Sequence, residues 1–294
     1  MSFASLKKSS FQDLLAKADN LNKSEAKSGP DERLWKPEVD KAGNGYAVIR
    51  FLPAPNGEDL PWAQVWTHAF QGPGGWYIEN SLTTLGQKDP VSDLNRELWN
   101  SGKDSDKEIA RKQKRKLSYY SNIYVVKDEM NPENEGKVFL YKYGKKIHDK
   151  IVAAAQPEFE DETPINPFDL WKGADFRLKI CKVAGFWNYD KSGFANPSTL
   201  EGKTDAELEA TWKQCYSLKD FTSPSQFKTY EELETRLNSV LKVTPKRPDP
   251  ETFEEEDTSQ SVPDLRTGFG NKVESLQKDD DVDLSYFAKL AEED

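Results

Sequence analysis

The sequence predicts an α+β fold that is mainly β, and three observations carry this prediction. Short stretches alternate apolar and polar side chains, as half-buried strands do. Turn-forming residues such as Gln71-Gly72-Pro73-Gly74-Gly75 separate these stretches. Helical patterns are concentrated near the end of the folded body. We therefore expect strands along most of the body, with helices late.

Taken in order, the predicted strands cover residues 46–52, 62–70 with a return over 76–79, 122–127, 138–143 and 176–183. In the last strand Phe176, Leu178 and Ile180 are expected to face one way. Arg177 and Lys179 then face the other way. Such a strand buries one face and presents cations on the second. A turn-rich loop with three aromatic residues follows over 185–193.

Helices are predicted over residues 205–215 and 230–241, and Thr229 with Glu232 forms a capping box for the second. Another amphipathic helix is predicted near the N-terminus, where apolar residues from Phe11 to Leu21 recur at helical spacing after Ser10. This N-terminal helix packs either on its own core or on another molecule, and the sequence leaves both open.

The charge is divided unevenly along the chain. The net charge is −10, but residues 249–294 hold 15 acidic against 4 basic side chains, a net of −11. Residues 1–248 hold 37 basic and 36 acidic side chains, so the body is close to neutral. An acidic segment with few apolar residues buries too little surface to fold, which predicts a disordered interaction tail. Its segment 279–287 sets a short apolar cluster in acid, a composition that suits docking on a basic, apolar groove.

Several classes of protein are disfavoured by composition. The two cysteines, Cys181 and Cys215, are too few for a disulfide scaffold and indicate a reducing compartment. There is neither an apolar run of the roughly 20 residues that span a membrane nor the apolar core of a signal peptide. We expect a soluble intracellular protein without a membrane partner. Two histidines, with no glycine-rich phosphate loop and no nucleophile in a recognisable setting, argue against an enzyme.

Cations and aromatic residues are interleaved in the middle of the chain. Five cations occupy six positions over residues 111–116, and a second aromatic stretch precedes two further lysines. The residues concerned are Arg111, Lys112, Lys114, Arg115, Lys116, Tyr119, Tyr120, Tyr141, Tyr143, Lys145 and Lys146. This combination suits binding of phosphates and stacking on unpaired bases. The alternative is a solvated loop followed by strands whose aromatics fill the core. Short strands with a cationic, aromatic face are compatible with an OB-type barrel.

Four strings in this sequence closely resemble the T4-type phage single-stranded DNA-binding protein family. They are 42–53 (AGNGYAVIRFLP), 132–139 (PENEGKVF), 143–147 (YGKKI) and 185–190 (GFWNYD). The resemblance implies a basic arm over residues 1–30, an OB-fold core over 31–245 with a small inserted strand-hairpin subdomain and flanking helices, and an acidic tail over 246–294. It also implies head-to-tail self-association on DNA, recruitment of replication and recombination proteins by the tail, and action in the cytoplasm of an infected bacterial host.

The resemblance also places the DNA-binding cleft on particular residues. These are Arg50, Trp76, Tyr77, Lys114, Arg115, Lys116, Tyr119, Tyr120, Tyr141, Tyr143, Phe186 and Tyr189. Arg50 by itself could equally be an ordinary strand-face charge. The arm's basic-then-hydroxyl motif, which the family uses for cooperativity, is matched by Lys7, Lys8, Ser9 and Ser10. Residues 114–118 resemble a second copy of that motif.

One departure from the family concerns its structural zinc, which one His and three Cys hold. His68 stands in the matching place, but Ser81, Asp89 and Ser92 occupy the cysteine positions. Tetrahedral structural zinc prefers thiolate or imidazole ligands. We expect no cofactor, with packing around Trp62, Trp66, Phe70 and Leu82 holding this region instead.

The predicted function is cooperative, sequence-nonspecific coating and protection of single-stranded DNA in replication, recombination and repair. Two alternatives belong to other classes: a protein-interaction scaffold with an acidic docking tail, and a metal-dependent nuclease. Titration with oligo-dT distinguishes a scaffold from a DNA-binding protein, because adding oligo-dT to a scaffold would leave its tryptophan fluorescence unchanged.

Overall fold

Strands and helices alternate along the chain in a computed structural model, which describes residues 31–159 and 162–242. The strands are β1 (Leu34–Trp35), β2 (Gly45–Phe51), β3 (Ala63–Gly72), β4 (Gly75–Asn80), β5 (Lys116–Asp128), β6 (Val138–Tyr143), β7 (Phe176–Val183), β8 (Phe186–Asn188) and β9 (Gly193–Phe194). The α-helices are α1 (Pro90–Asn100), α2 (Asp104–Lys112), α3 (Lys145–Ala155), α4 (Asp205–Trp212) and α5 (Tyr230–Leu241). The arm, its predicted helix and the acidic tail lie outside the described residues.

The described residues form two compact units. The first contains residues 31–62 and 120–217, and its strands follow the order β1-β6-β5-β2-β7-β8, with β9 beside β7. Strand β2 is antiparallel to both β5 and β7, and β1 is parallel to β6. Its core includes Ile49, Phe51 and Phe176, and the rings of Phe51 and Phe176 lie 5.8 Å apart. The described residues therefore form a mixed α/β structure in which the β-sheet predominates.

The second unit contains residues 63–119 and 218–242. The β3–β4 hairpin packs with α1 and α5 around an apolar cluster of Phe70, Tyr77, Leu82, Val91, Leu233, Leu237 and Val240. The glycine-rich turn of this hairpin lies directly against the end of α5. A Cβ at Gly72 would come within 2.7 Å of the Val240 carbonyl oxygen, so the turn tolerates no side chain there. The second unit is therefore larger than the predicted inserted hairpin, because helices complete its core.

Several predicted elements are confirmed at their predicted bounds. Strand β7 alternates as expected, with Phe176, Leu178 and Ile180 buried and the two cations between them exposed. Helix α5 begins at the predicted capping box, in which Thr229 Oγ1 accepts from the Glu232 amide at 3.3 Å and Glu232 accepts from the Thr229 amide at 2.8 Å. Local signals of this kind are contained within a few residues, so the sequence alone reveals them.

The prediction that helices come late is wrong, because α1, α2 and α3 all precede residue 160. Helix α1 carried a readable signal, since Asp89 caps it and Pro90 stands at its first position. Helix α2 buries only Ala110 and α3 only Ile147 and Ile151, so their apolar stripes are too thin to stand out. The loop after β7 also contains strands β8 and β9. Among the described residues, no helix has the length and apolarity needed to cross a membrane.

Candidate nucleic-acid interface

The basic segment, defined as residues 111–116, spans the end of α2 and the start of β5 in the second unit. Arg111 and Lys112 form the last turn of α2 and are exposed, while Lys116 is the exposed first residue of β5. Cations at a helix C-terminus are favoured by the helix dipole, which explains their tolerance there. The basic segment thus connects α2 to β5 and has exposed cations at both of its ends.

Tryptophans lie beneath the cations of this unit. The Arg115 guanidinium carbon is 4.2 Å from the Trp66 ring centroid, and that of Arg111 is 5.5 Å from the Trp99 centroid. The ammonium of Lys107 also lies 5.8 Å from Trp99. Cation–π contacts of this kind hold a long side chain in place, and Arg111 also pairs with Glu108 at 3.4 Å. Sequence reasoning missed Trp99, because only the packing of α1 on α2 brings it to the basic segment, and it missed Lys107, which lies one helical turn before Arg111 on α2.

Exposure separates neighbouring residues on β4. Trp76 is 52 % exposed, whereas Tyr77 is 1 % exposed and stacks on Phe70 at 5.1 Å between ring centroids. Burial, and next the charge of Asp89, raise the pKa of Tyr77. The prediction that Tyr77 lines a DNA cleft is therefore corrected, since a ring inside the apolar cluster is closed to a base. Trp76 keeps the exposed indole that stacking requires.

Arg50 requires a second correction, because its side chain is fully buried in the first unit. Its Nε donates to Asp175 Oδ1 at 2.8 Å, and its Nη1 donates to the carbonyls of Asp169 at 3.3 Å and Ser198 at 3.1 Å. A buried charge persists only when it is paired and hydrogen-bonded. Arg50 thus ties two loops to β2 and has no surface from which to contact DNA.

The tyrosines of the first unit are largely internal. Tyr120, Tyr141 and Tyr143 are buried, and the last two stack on each other at 5.5 Å between centroids. Trp35 packs edge-on against Tyr141 at 5.3 Å, and Ser121 hydrogen-bonds the Tyr143 hydroxyl at 2.9 Å. Tyr119, in the second unit, is also buried. This placement fits the alternative interpretation, in which strand aromatics fill the core.

The β7–β8 hairpin of the first unit presents an aromatic and cationic surface instead. Phe186 and Tyr189 are half-buried there, and Trp187 between them is 46 % exposed. The Lys182 ammonium lies 5.0 Å from the Trp187 ring centroid, and Arg177 and Lys179 are exposed on β7. Trp187 was missed as a site residue although it stands inside the string 185–190. The signal was the alternation of β8, which turns Trp187 outward when Phe186 turns in.

Lys145 and Lys146 occupy the first turn of α3 and are exposed. Gly144 precedes them as an N-cap without a side chain, and Lys145 pairs with Asp149 at 3.0 Å. The amide groups of a helix N-terminus suit a phosphate, and the lysines in this first turn add positive charge. Lys7, Lys8, Ser9 and Ser10 lie outside the described residues.

A polar cluster occupies the place where the resemblance puts zinc. His68 Nδ1 lies 2.9 Å from the Gln113 carbonyl oxygen, and His68 Nε2 lies 3.2 Å from Asp89 Oδ1. Burial alone raises the pKa of Asp89, but hydrogen bonds and charge from His68, with hydrogen bonds from Ser92 and Ser81, hold it below its usual value. Asp89 is thus a carboxylate inside the second unit.

These residues do not fit a zinc ion. His68 offers the only imidazole, and both oxygens of Asp89 already accept hydrogen bonds from Ser81 and from backbone amides. Within the described ranges, no group of three or more His, Cys, Asp or Glu side chains is placed to hold a metal ion. Of the residues expected to stabilise this region, Phe70 and Leu82 belong to its apolar cluster and Trp66 supports Arg115. Trp62 instead packs on Phe168 in the first unit, at 5.4 Å between centroids.

Chemically, each unit combines exposed cations with an exposed indole. The second unit has Trp76 and the basic segment, and the first has Trp187 with Lys182. The cations can neutralise backbone phosphates, and unpaired bases can stack on the indoles. Histidines in catalytic settings are lacking among the described residues, since His68 is internal and His148 packs on Trp62 at 5.7 Å.

Comparison with known proteins gives consistent matches. Residues 43–241 match the family model described as gp32 DNA binding protein like. The single-stranded DNA-binding protein of Enterobacteria phage T4 is 42 % identical over 241 residues, which cover 80 % of this chain and 79 % of that protein. The protein of the same name from Enterobacteria phage T2 is 44 % identical over 220 residues, covering 73 % and 72 % respectively. That of Escherichia phage SV14 is 50 % identical over 62 residues, 21 % of this chain and 55 % of that protein.

Proposed function

Since the chain belongs to the gp32-like family of DNA-binding proteins, we propose that it coats single-stranded DNA cooperatively and without sequence preference. It binds single-stranded DNA in phage replication, and it is a DNA-binding protein rather than an enzyme. The observation that carries this function is the family match over residues 43–241, which contains every exposed cation and indole described above. We further propose roles in recombination and repair, an OB-type arrangement for the sheet of the first unit, and action in the cytoplasm of the infected host.

The proposed mode of binding assigns different tasks to the two kinds of side chain. Lys112, Lys116 and Lys146 neutralise phosphates, which carries no sequence information. Trp76 and Trp187 stack on bases, and stacking tolerates every base because each has a π-face. Phe186 and Tyr189 are half-buried, so they contribute less to stacking than Trp187 does. Arg50 and Tyr77 take no direct part, because both side chains are buried.

Binding to poly-dT is expected to weaken steeply with salt, because phosphate contacts release counterions. The log–log slope should be about −0.7 per phosphate neutralised on a single strand. Lys116→Gln should weaken binding to all sequences alike and make the slope shallower by about 0.7. Lys213→Gln is the matched control, since Lys213 is equally exposed but pairs with Glu209 at 2.6 Å on α4. Fluorescence titration at several NaCl concentrations measures both slopes. Salt-insensitive binding, or equal effects of the two variants, would refute the proposed electrostatic contact.

Stacking is tested by a pair of equally exposed tryptophans in the first unit. Trp187 lies beneath the Lys182 cation, whereas Trp171, 52 % exposed, donates its indole N–H to the Asp205 carboxylate at 2.7 Å. A carboxylate repels the phosphates that would accompany a stacked base. Trp187→Ala should therefore cost about 1–3 kcal/mol of binding free energy. Trp171→Ala should leave the dissociation constant for oligo-dT within about twofold of the wild-type value. The reverse order of effects would place the stacking surface elsewhere.

The acidic tail is proposed to recruit partner proteins of replication and recombination. The net charge of −11 over residues 249–294 and the apolar cluster over residues 279–287 support this. A tail of that charge also competes with phosphates for the same cations, because tethering gives it a high effective concentration. Displacement by a single strand would then release the tail for its partners.

A further inference from the structure

We propose that His68, Asp89 and Ser81 form a metal-free clasp in the second unit, and that His68 positions the basic segment through the Gln113 carbonyl. These three residues are called the His68 clasp below. This inference rests on the proposed function, because it concerns how the cations of residues 111–116 are held for DNA. It assigns His68 as a positioning residue that does not itself touch the nucleic acid.

The Asp89 carboxylate joins two segments of the chain. Its Oδ2 accepts from Ser81 Oγ at 2.9 Å and from the Leu82 amide at 3.1 Å, at the start of a short 3-10 turn. Its Oδ1 accepts from the Val91 and Ser92 amides, each at 3.1 Å, as the N-cap of α1. One side chain therefore satisfies amides of both helical starts that would otherwise lack acceptors. Holding two segments at one point is what a structural metal does in a small domain.

His68 extends the clasp from Asp89 to the basic segment. Gln113 O accepts only, so the Nδ1 atom 2.9 Å from it carries a proton. Nε2 lies 3.2 Å from Asp89 Oδ1, a close polar contact inside the second unit. The ring of His68 thus lies between the Asp89 carboxylate and the Gln113 carbonyl. Both His68 and Asp89 are 1 % exposed, so water does not weaken the pair.

The carbonyl that His68 holds lies within the basic segment. Gln113 caps α2 and connects Lys112 to Lys114, with its amide donating to Ile109 O at 3.0 Å. Fixing this residue fixes where α2 ends and therefore where the flanking cations point. Trp66 lies two positions before His68 and on the same face of β3, where it carries Arg115. Strand β3 thus contacts the basic segment twice, by a hydrogen bond to its backbone and by a ring under its guanidinium.

Two conservative substitutions separate the two contacts of His68. In His68→Asn the amide nitrogen can occupy the place of Nδ1 and still donate to Gln113 O, while the contact with Asp89 is lost. In His68→Gln the amide nitrogen can occupy the place of Nε2 and still reach Asp89, while the donor to Gln113 is lost. Both variants carry the same neutral amide, so a difference between them cannot come from charge.

We expect His68→Gln to weaken oligo-dT binding by about five- to tenfold and His68→Asn by clearly less, both measured where the proteins are fully folded by circular dichroism. Trypsin should cleave within residues 111–116 faster in native His68→Gln than in His68→Asn. Thermal stability should show the opposite order, because His68→Asn breaks the contact with Asp89. Affinities that follow stability in both variants would overturn the positioning role. Should His68→Gln not fold, His68→Asn decides alone: affinity near the wild-type value supports the proposal, and a fivefold loss rejects it.

The metal-free character of the clasp is tested on the wild-type protein. After incubation with Zn²⁺ and gel filtration, elemental analysis should find well under one zinc per chain. A chelator should change neither oligo-dT affinity nor the melting temperature. Stoichiometric zinc would overturn the clasp. Wild-type protein that failed to bind oligo-dT at all would instead refute the proposed function, so the two failures are distinguishable.

Discussion

Replacing Arg50 by Met should lower the free energy of unfolding by about 3 kcal/mol, the cost of leaving the acceptors around its buried guanidinium without donors. The guanidinium satisfies the Asp175 carboxylate and two backbone carbonyls, those of Asp169 and Ser198. Met fills the volume but leaves these acceptors without donors, and buried unsatisfied groups bear the full cost of desolvation. For a chain of this size the melting temperature should fall by roughly 10 °C. Calorimetry or urea unfolding measures the change.

The same substitution decides between the two interpretations of Arg50. Arg177→Met is the matched control, because Arg177 pairs in register with Val48 on the neighbouring strand and its side chain is exposed. Arg177→Met should change stability by no more than about 0.5 kcal/mol. Per folded molecule, Arg50→Met should retain the affinity of the wild-type protein for oligo-dT. A stable Arg50→Met protein that had lost affinity would restore the DNA-contact interpretation.

The fate of Arg50 shows where sequence reasoning reaches its limit. The alternation of side chains along β2 predicts a strand. The residues of β2 do not show, however, which of its two faces will be covered by segments that come later in the sequence. Asp175 and Ser198 stand 125 and 148 residues away, and only the fold brings them to the guanidinium. The same holds for His68 and Gln113, which are 45 residues apart. Long-range polar pairs leave no periodic trace in a sequence.

Local signals, in contrast, were sufficient wherever an element depends on its own few residues. The capping box of α5 and the alternation of β7 are examples, and both are confirmed. The two cations of β7, Arg177 and Lys179, were also located correctly as exposed, because charged side chains seldom lie inside without a partner. Aromatic residues were harder to place. Tyr141 and Tyr143 alternate with Lys142 as a binding face would, yet their rings pack inward and the lysine is the exposed member.

The sequence thus predicts which types of residue form the candidate site, but not which of these residues are exposed on the surface. A segment rich in cations and aromatics indicates nucleic acid, and the family match agrees with it. Which aromatics are open to a base depends on burial, and Trp76 and Trp187 are exposed whereas Tyr77, Tyr141 and Tyr143 are buried. Indoles paired with cations on helices, such as Trp99 with Arg111, depend on the packing of α1 and α2. Their positions follow from tertiary structure alone.

Deleting residues 1–24 should abolish clustering on long single strands while leaving binding to an oligonucleotide of one site nearly unchanged. These residues lie outside the described ranges, and the expectation comes from their sequence and from the family resemblance. Lys7 and Lys8 precede two hydroxyls and an apolar series beginning at Phe11. We expect the cations to meet an acidic patch on the neighbouring molecule and the apolar residues to fill a groove there. A contact between neighbouring protein molecules adds nothing to the affinity for an oligonucleotide on which only one molecule fits.

The size of the effect follows from effective concentration. A neighbour already bound holds the next molecule near its site, and such linkage raises apparent affinity by about 10²–10⁴. Affinity for long poly-dT should fall by a factor of this order in the deletion, against less than about threefold for the short oligonucleotide. Lys7→Gln with Lys8→Gln, compared with Phe11→Ser, separates the charged from the apolar contribution. Titrations of both lengths with the same preparation provide the measurement. Equal losses on the short and the long strand would mean that the arm contacts DNA and not the neighbouring molecule.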